Sequence, residues 1–233
     1  MEPQAQRQSH SPDLHLGSGH NHPESVGRFG AGMWGVIGAE LKVHAPYTLM
    51  GTFSGMAVMV IVVVSGAPPA LSQGLFWSLH PLHVLLSALV TTAMFAGHGS
   101  HRLWATVLVG YVGSIGIATL SDCLIPYAGE LLLNLPNRGV HLGFIEKWWL
   151  VNPLALLGIV LGYWAPYTRL PHAGHVLLST WASLFHMTMA IGQGMTAAGY
   201  AIATVFLFLA VWLPCCTSDI VFPLLFTRVE RHL

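Results

Sequence analysis

The chain carries several apolar runs close to the length of a bilayer crossing, and this feature most restricts what it can fold into. The runs fall at 46–65, 79–97, 103–127, 148–165, 175–195 and 199–226, each near the ~20 residues a helix needs to cross a hydrocarbon core. A surface helix of a soluble protein keeps a polar stripe along one face, and these runs lack one. Composition agrees: 54% of residues are hydrophobic, 8% are charged and the mean hydropathy is +0.62, against about 25% charged in an ordinary soluble domain. The expected fold is an all-α integral membrane protein with six transmembrane helices.

Residues 1–28 are polar, include His10, His15, His20 and His22, and lack an apolar core of the leader-peptide kind. They read as a disordered cytoplasmic tail, and residues 29–45 as a short helix in the membrane interface. With six spans and the N-terminus inside, Arg7, Arg28, Lys42, Arg102, Arg169, Arg228 and Arg231 lie on the cytoplasmic side and only Arg138 and Lys147 lie outside. That asymmetry follows the positive-inside rule and places both termini in the cytoplasm. The expected location is the cytoplasmic (inner) membrane of a bacterium. The lipid bilayer is then the main partner, no nucleic acid is expected, and a chain of 233 residues is compatible with a homodimer.

The sequence also repeats itself. "HPLHVLLS", His80 to Ser87, returns as "HAGHVLLS", His172 to Ser179; "SDCLIP", Ser121 to Pro126, returns as "SDIVFP", Ser218 to Pro223. Residues 46–130 and 148–233 therefore read as two copies of a three-span unit, joined by an outer loop at 131–147. An odd number of spans inverts the second copy, the architecture of many secondary transporters. One cluster is expected in each leaflet: His80, His83, Asp122 and Cys123 towards the outside, and His172, His175, Cys216 and Asp219, with Cys215 beside them, towards the cytoplasm.

Histidines three apart share a helix face, and imidazole, carboxylate and thiolate together suit Zn, Mn, Fe, Co or Ni as divalent ions. Pro81 after His80 suits a helix start with His80 as its cap. Pro126 and Pro223 cannot donate the helical hydrogen bond to the carbonyl four residues back, so Asp122 and Asp219 would expose free backbone oxygens to an ion. His186, three turns beyond His175, is a further candidate ligand. His98 and His101, with His20 and His22, are accessory candidates for collecting or sensing metal. Glu130, Glu146, Arg138 and Lys147 read as solvated loop charges.

The functional expectation is secondary transport of a divalent transition-metal ion, with the metal as substrate rather than resident cofactor and efflux slightly favoured. The alternatives are a membrane redox protein, either a b-type haem anchor through His83, His175 and His186 or a thiol-disulfide carrier. Those carriers bear a passing likeness in their Cys-and-Pro motifs, although their cysteines occupy a different span. An enzymatic role is not expected, and no nucleophile motif is evident.

Overall fold

A computed structural model describes residues 33–97, 102–164, 169–192 and 194–218, and every regular element among them is helical. In chain order these are α1 (Met33–Val64), α2 (Pro69–Gly97), α3 (Leu103–Thr119), a π-helical turn (Leu120–Leu124), α4 (Ile125–Leu132), α5 (Gly143–Glu146), α6 (Trp148–Trp164), α7 (Arg169–Ile191) and α8 (Ala197–Ser218). Four stretches are long and apolar enough to cross a membrane: His44–Val64, Pro69–Gly97, Leu103–Leu132 and Ala197–Cys215. This is the composition and geometry of an integral membrane protein. Outward-facing Leu, Val, Ile and Phe side chains such as Phe53, Ile61, Leu108, Val160 and Val205 remain exposed, as lipid-facing residues should.

The other two long helices fall outside that set for different reasons. α6 has 17 residues, about 26 Å of helix at 1.5 Å per residue, slightly short of a ~30 Å hydrocarbon core. α7 is long enough at 23 residues but carries His175, Ser179, Thr180, Ser183, His186 and Thr188, all buried. It is polar because it faces the interior of the molecule.

Two boundaries differ most from the sequence reading. α1 is one helix through Pro46, so the stretch assigned to the interface is continuous with the first span; a proline is tolerated inside a membrane helix where neighbours re-satisfy the freed backbone. α2 begins at Pro69 and keeps Pro81 in its interior. Pro81 is therefore not at a helix start, and His80 is not a cap. Apolar residues Leu71, Leu75, Phe76 and Trp77 extend the helix upstream despite the intervening Ser72 and Gln73.

Small residues set the closest packing. In α6, a Cβ on Gly158 would collide with the Leu85 carbonyl oxygen, and one on Gly162 with that of Leu89. In α1, a Cβ on Gly51 would lie 3.1 Å from Thr180 Oγ1, and one on Gly55 3.0 Å from Leu184 Cδ1. Both are G-x-x-x-G pairs, which let helix backbones approach closely in lipid. One such pair pins each of the two helices that carry the repeated motif, α2 and α7. The turn from α1 to α2 passes through Gly66 at φ 64°, a left-handed conformation that glycine adopts without steric cost.

Candidate metal centre

The centre is built on matching stripes of two helices. Phe76, His80, His83 and Ser87 recur on α2 at intervals of four, three and four residues, and His175, Ser179, Ser183 and His186 on α7 at four, four and three. These spacings keep each set on one helical face. α2 and α7 pack along one another, with the rings of His83 and His175 nearly parallel at 16° and their centroids 5.7 Å apart.

Between them sits Asp122, fully buried on the π-helical turn. Its Oδ2 accepts from His83 Nδ1 at 2.6 Å and from His80 Nδ1 at 3.0 Å. Its Oδ1 accepts from Ser121 Oγ at 2.7 Å and Ser179 Oγ at 2.8 Å. A carboxylate oxygen offers about two lone-pair directions, so both oxygens are saturated. Asp122 is thus placed to orient histidines rather than to ligate an ion directly. With Nδ1 protonated against the carboxylate, His83 is left with an Nε2 lone pair, and that nitrogen has no hydrogen-bond partner among the described residues. Carboxylate on one ring nitrogen and metal on the other is the usual arrangement of a ligating histidine.

Among the described residues, the three that can share an ion are His83, His175 and Cys215. All are buried, and one ligand atom from each lies within 4.8 Å of the others. Ligand atoms on a tetrahedral zinc are about 3.5 Å apart, so the triad is open by at most about 1.3 Å. The Cys215 thiol also donates to Ser179 Oγ at 3.3 Å, which links the sulfur to the Asp122 network. Two imidazoles and a thiol form a borderline-soft donor set suited to Zn²⁺ and its neighbours, with a fourth position for water or exchange.

The π-helical turn explains the local geometry. Pro126 in a regular α-helix would press its ring against the carbonyl four residues back; here Ile125 N bonds instead to Leu120 O. In this register the Ser121 carbonyl would need the N–H of residue 126, which is proline and has none. Ser183 Oγ takes that place, 2.9 Å from Ser121 O and 2.7 Å from Ser179 O. The bulge thus adds the Ser121 carbonyl to that of Asp122 as one that Pro126 cannot serve. π-bulges of this kind recur at functional sites.

The sequence anticipated a cluster per half; the structure brings His80, His83 and Asp122 of the first half to His175 and Cys215 of the second. Cys123 is buried in the apolar cluster with Phe76, Phe185 and Leu207 and is not one of the three grouped donors. His172 lies on α7, but its side chain, like that of Cys216, is outside the described residues. So are Asp219, Pro223, His98, His101, His20 and His22.

His186 does not join His175. Eleven residues bring it back to the same face but about 16 Å along the axis, too far to share an ion. Its Nδ1 instead donates to Glu130 Oε1 at 2.8 Å, and Gly139 N donates to Oε2 of the same carboxylate at 3.1 Å. Glu130 is correspondingly buried, at 1% exposure, and not solvated as a loop charge. α4 carries it under the following loop, which folds back over it. Glu146 remains exposed beside His141, with His141 Nδ1 and Glu146 Oε2 3.3 Å apart.

The serines were missed as functional groups. Their signal was present, since Ser179 is the last letter of the repeated H-x-x-H-V-L-L-S and sits one turn after His175. A scan against family models finds no match, and searches of curated proteins and of solved structures likewise find none.

Proposed function

We propose that this chain is a membrane transporter of a divalent transition-metal ion, Zn²⁺ by preference, which it holds in transit at His83, His175 and Cys215. Asp122 fixes the tautomer of His83 and supplies negative charge to the buried centre. Six spans, arranged as two inverted three-helix repeats, complete the reading, with α6 and α7 added to the four long apolar helices. The observation that carries it is that the ion-binding triad draws on both halves of the chain. Secondary transporters with inverted repeats place their ion sites at the interface between the halves and use broken helices there. Helix packing supports the same symmetry: α1 of the first half presses Gly51 and Gly55 on α7, while α6 of the second half presses Gly158 and Gly162 on α2.

Binding and release would couple to protons, because a ligating imidazole must be neutral and metal affinity falls as pH falls. The fit to a haem is poor. A porphyrin needs a slot between its axial histidines, whereas His83 and His175 are packed ring against ring with Ser179 and Cys215 beside them.

A second reading has one observation in its favour. Only three donors group there, and three protein ligands on a tetrahedral ion equally suit a resident zinc whose fourth ligand is an activated water. Reconstitution of the full chain into liposomes containing a zinc-sensitive dye separates the two. Transport predicts zinc-driven signal that a His83→Ala/Cys215→Ser variant loses. Stoichiometric, slowly exchanging zinc without flux would overturn transport in favour of the resident ion.

A further inference from the structure

Three carboxylates, each facing Nδ1 of a histidine, run from the buried centre towards the 133–147 loop. Asp122 holds His83, Glu130 holds His186, and Glu146 faces His141. Exposure rises along the series: Asp122 and His83 are fully buried, Glu130 and His186 stand at 1%, and the side chains of His141 and Glu146 reach 29% and 41%. The two outer histidines meet, with ring centroids 5.3 Å apart at 67°. Two imidazoles on one tetrahedral ion have centroids about 5 Å apart, from a metal–nitrogen distance of about 2.1 Å and the ring radius.

The inner member of this pair has the marks of a ligand. Glu130, with both oxygens engaged by His186 Nδ1 and Gly139 N, leaves the His186 Nε2 lone pair directed elsewhere. That atom is buried and has no hydrogen-bond partner among the described residues. A buried polar atom without a partner calls for an explanation, and an unplaced ion or water is one. The His83 ring at the centre repeats the arrangement: carboxylate on Nδ1, Nε2 unpartnered.

From these observations we infer that His186 and His141, backed by Glu130 and Glu146, form a second cation site that an ion occupies on its way between the loop face and the central triad. Phe76 separates the two sites. Its ring stacks on His80 at 5.3 Å and 14°, and meets His186 edge-on at 5.3 Å. Two imidazoles completed by water make a weaker, faster-exchanging site than two imidazoles and a thiolate. That is the order a transit path requires, with loose capture outside and tighter binding within. The inference rests on the reading of the chain as a metal-handling protein, and it adds a site that the repeated motif does not contain.

Cobalt(II) reports the two sites separately, since only a thiolate ligand gives an intense ligand-to-metal charge-transfer band. The full chain in detergent would be titrated with Co²⁺ alone, beside Cys215→Ser, His141→Ala/His186→Ala and the single His141→Ala. The expected wild-type result is two equivalents, the tighter one with the charge-transfer band and the weaker one with ligand-field absorption only. The double variant should lose the weaker equivalent and keep the band, which also shows that its centre is intact. His141→Ala, at a partly exposed position, should weaken the second equivalent at least about 10-fold. A single thiolate-bearing equivalent in wild type, unchanged in both histidine variants, would overturn the second site. Absence of the band at every loading would instead overturn the central triad, and the dependence of any remaining equivalent on His141 and His186 would still decide the outer site.

Discussion

The two copies of H-x-x-H-V-L-L-S share letters but have different environments. In α2, both histidines bind Asp122 through Nδ1, while the buried hydroxyl of Ser87 makes no hydrogen bond among the described residues. In α7, the equivalent Ser179 donates to Asp122 and meets the Cys215 thiol. One carboxylate thus receives the histidines of one copy and the serine of the other. The second copy's own acid, Asp219, lies outside the described residues; among those described, both copies meet at Asp122.

The copies also differ in how they are clamped. Gly158 and Gly162 bring α6 against the backbone carbonyls of Leu85 and Leu89 in α2, whereas Gly51 and Gly55 bring α1 against side chains of α7. Backbone cannot turn aside; a leucine or threonine side chain can.

The largest effect should follow from removing the shared acid. Asp122→Ala leaves two histidines and two serines without their acceptor in a buried site, and should lower stability by about 3–5 kcal/mol, read as a fall in thermal unfolding temperature in detergent. A loss no greater than that of an ordinary surface substitution would mean that Asp122 does not organise both copies. Asp122→Asn keeps the shape but removes the charge and half the acceptor capacity; zinc affinity should fall about 10–100-fold by competition with a chelating dye.

Next comes the clamp. Gly158→Ala should destabilise by about 1–3 kcal/mol through overpacking, and Gly51→Ala by clearly less, measured in the same melts. Equal effects would show that the two helices are held alike. The smallest contrast is between the serines. Ser179→Ala should cost about 1–2 kcal/mol as the lost hydrogen bond to a charged group, and Ser87→Ala should be neutral or slightly stabilising. A reversed order would place the working serine in the other copy.

Much of this architecture was legible in the sequence because hydropathy and spacing are one-dimensional signals. The long apolar helices, the pairing of His80 and His83 with Asp122, and the inward face of His175 all follow from run length and register. What escaped depended on three-dimensional detail. The start of α2 was hidden because Ser72 and Gln73 dilute a helix that Phe76 and Trp77 continue. Cys215 and Cys216 are adjacent and differ by about 100° of helical rotation, and no pattern said which would face His83. Glu130 lies four residues past a proline, so its burial depended on a helix that continues through Pro126 and a loop that folds back over it. The π-helical turn, which leaves the Ser121 carbonyl to Ser183, has no sequence signature beyond that proline.

The proposed centre requires that His83, His175 and Cys215 bind one transition-metal ion together. Zinc X-ray absorption on the full chain loaded with one equivalent reads the ligand set directly. A single sulfur scatterer is expected at about 2.3 Å, with nitrogen scatterers at about 2.0–2.1 Å and imidazole multiple scattering, the sulfur shell vanishing in Cys215→Ser. A shell of nitrogen and oxygen alone in the wild-type chain would contradict it.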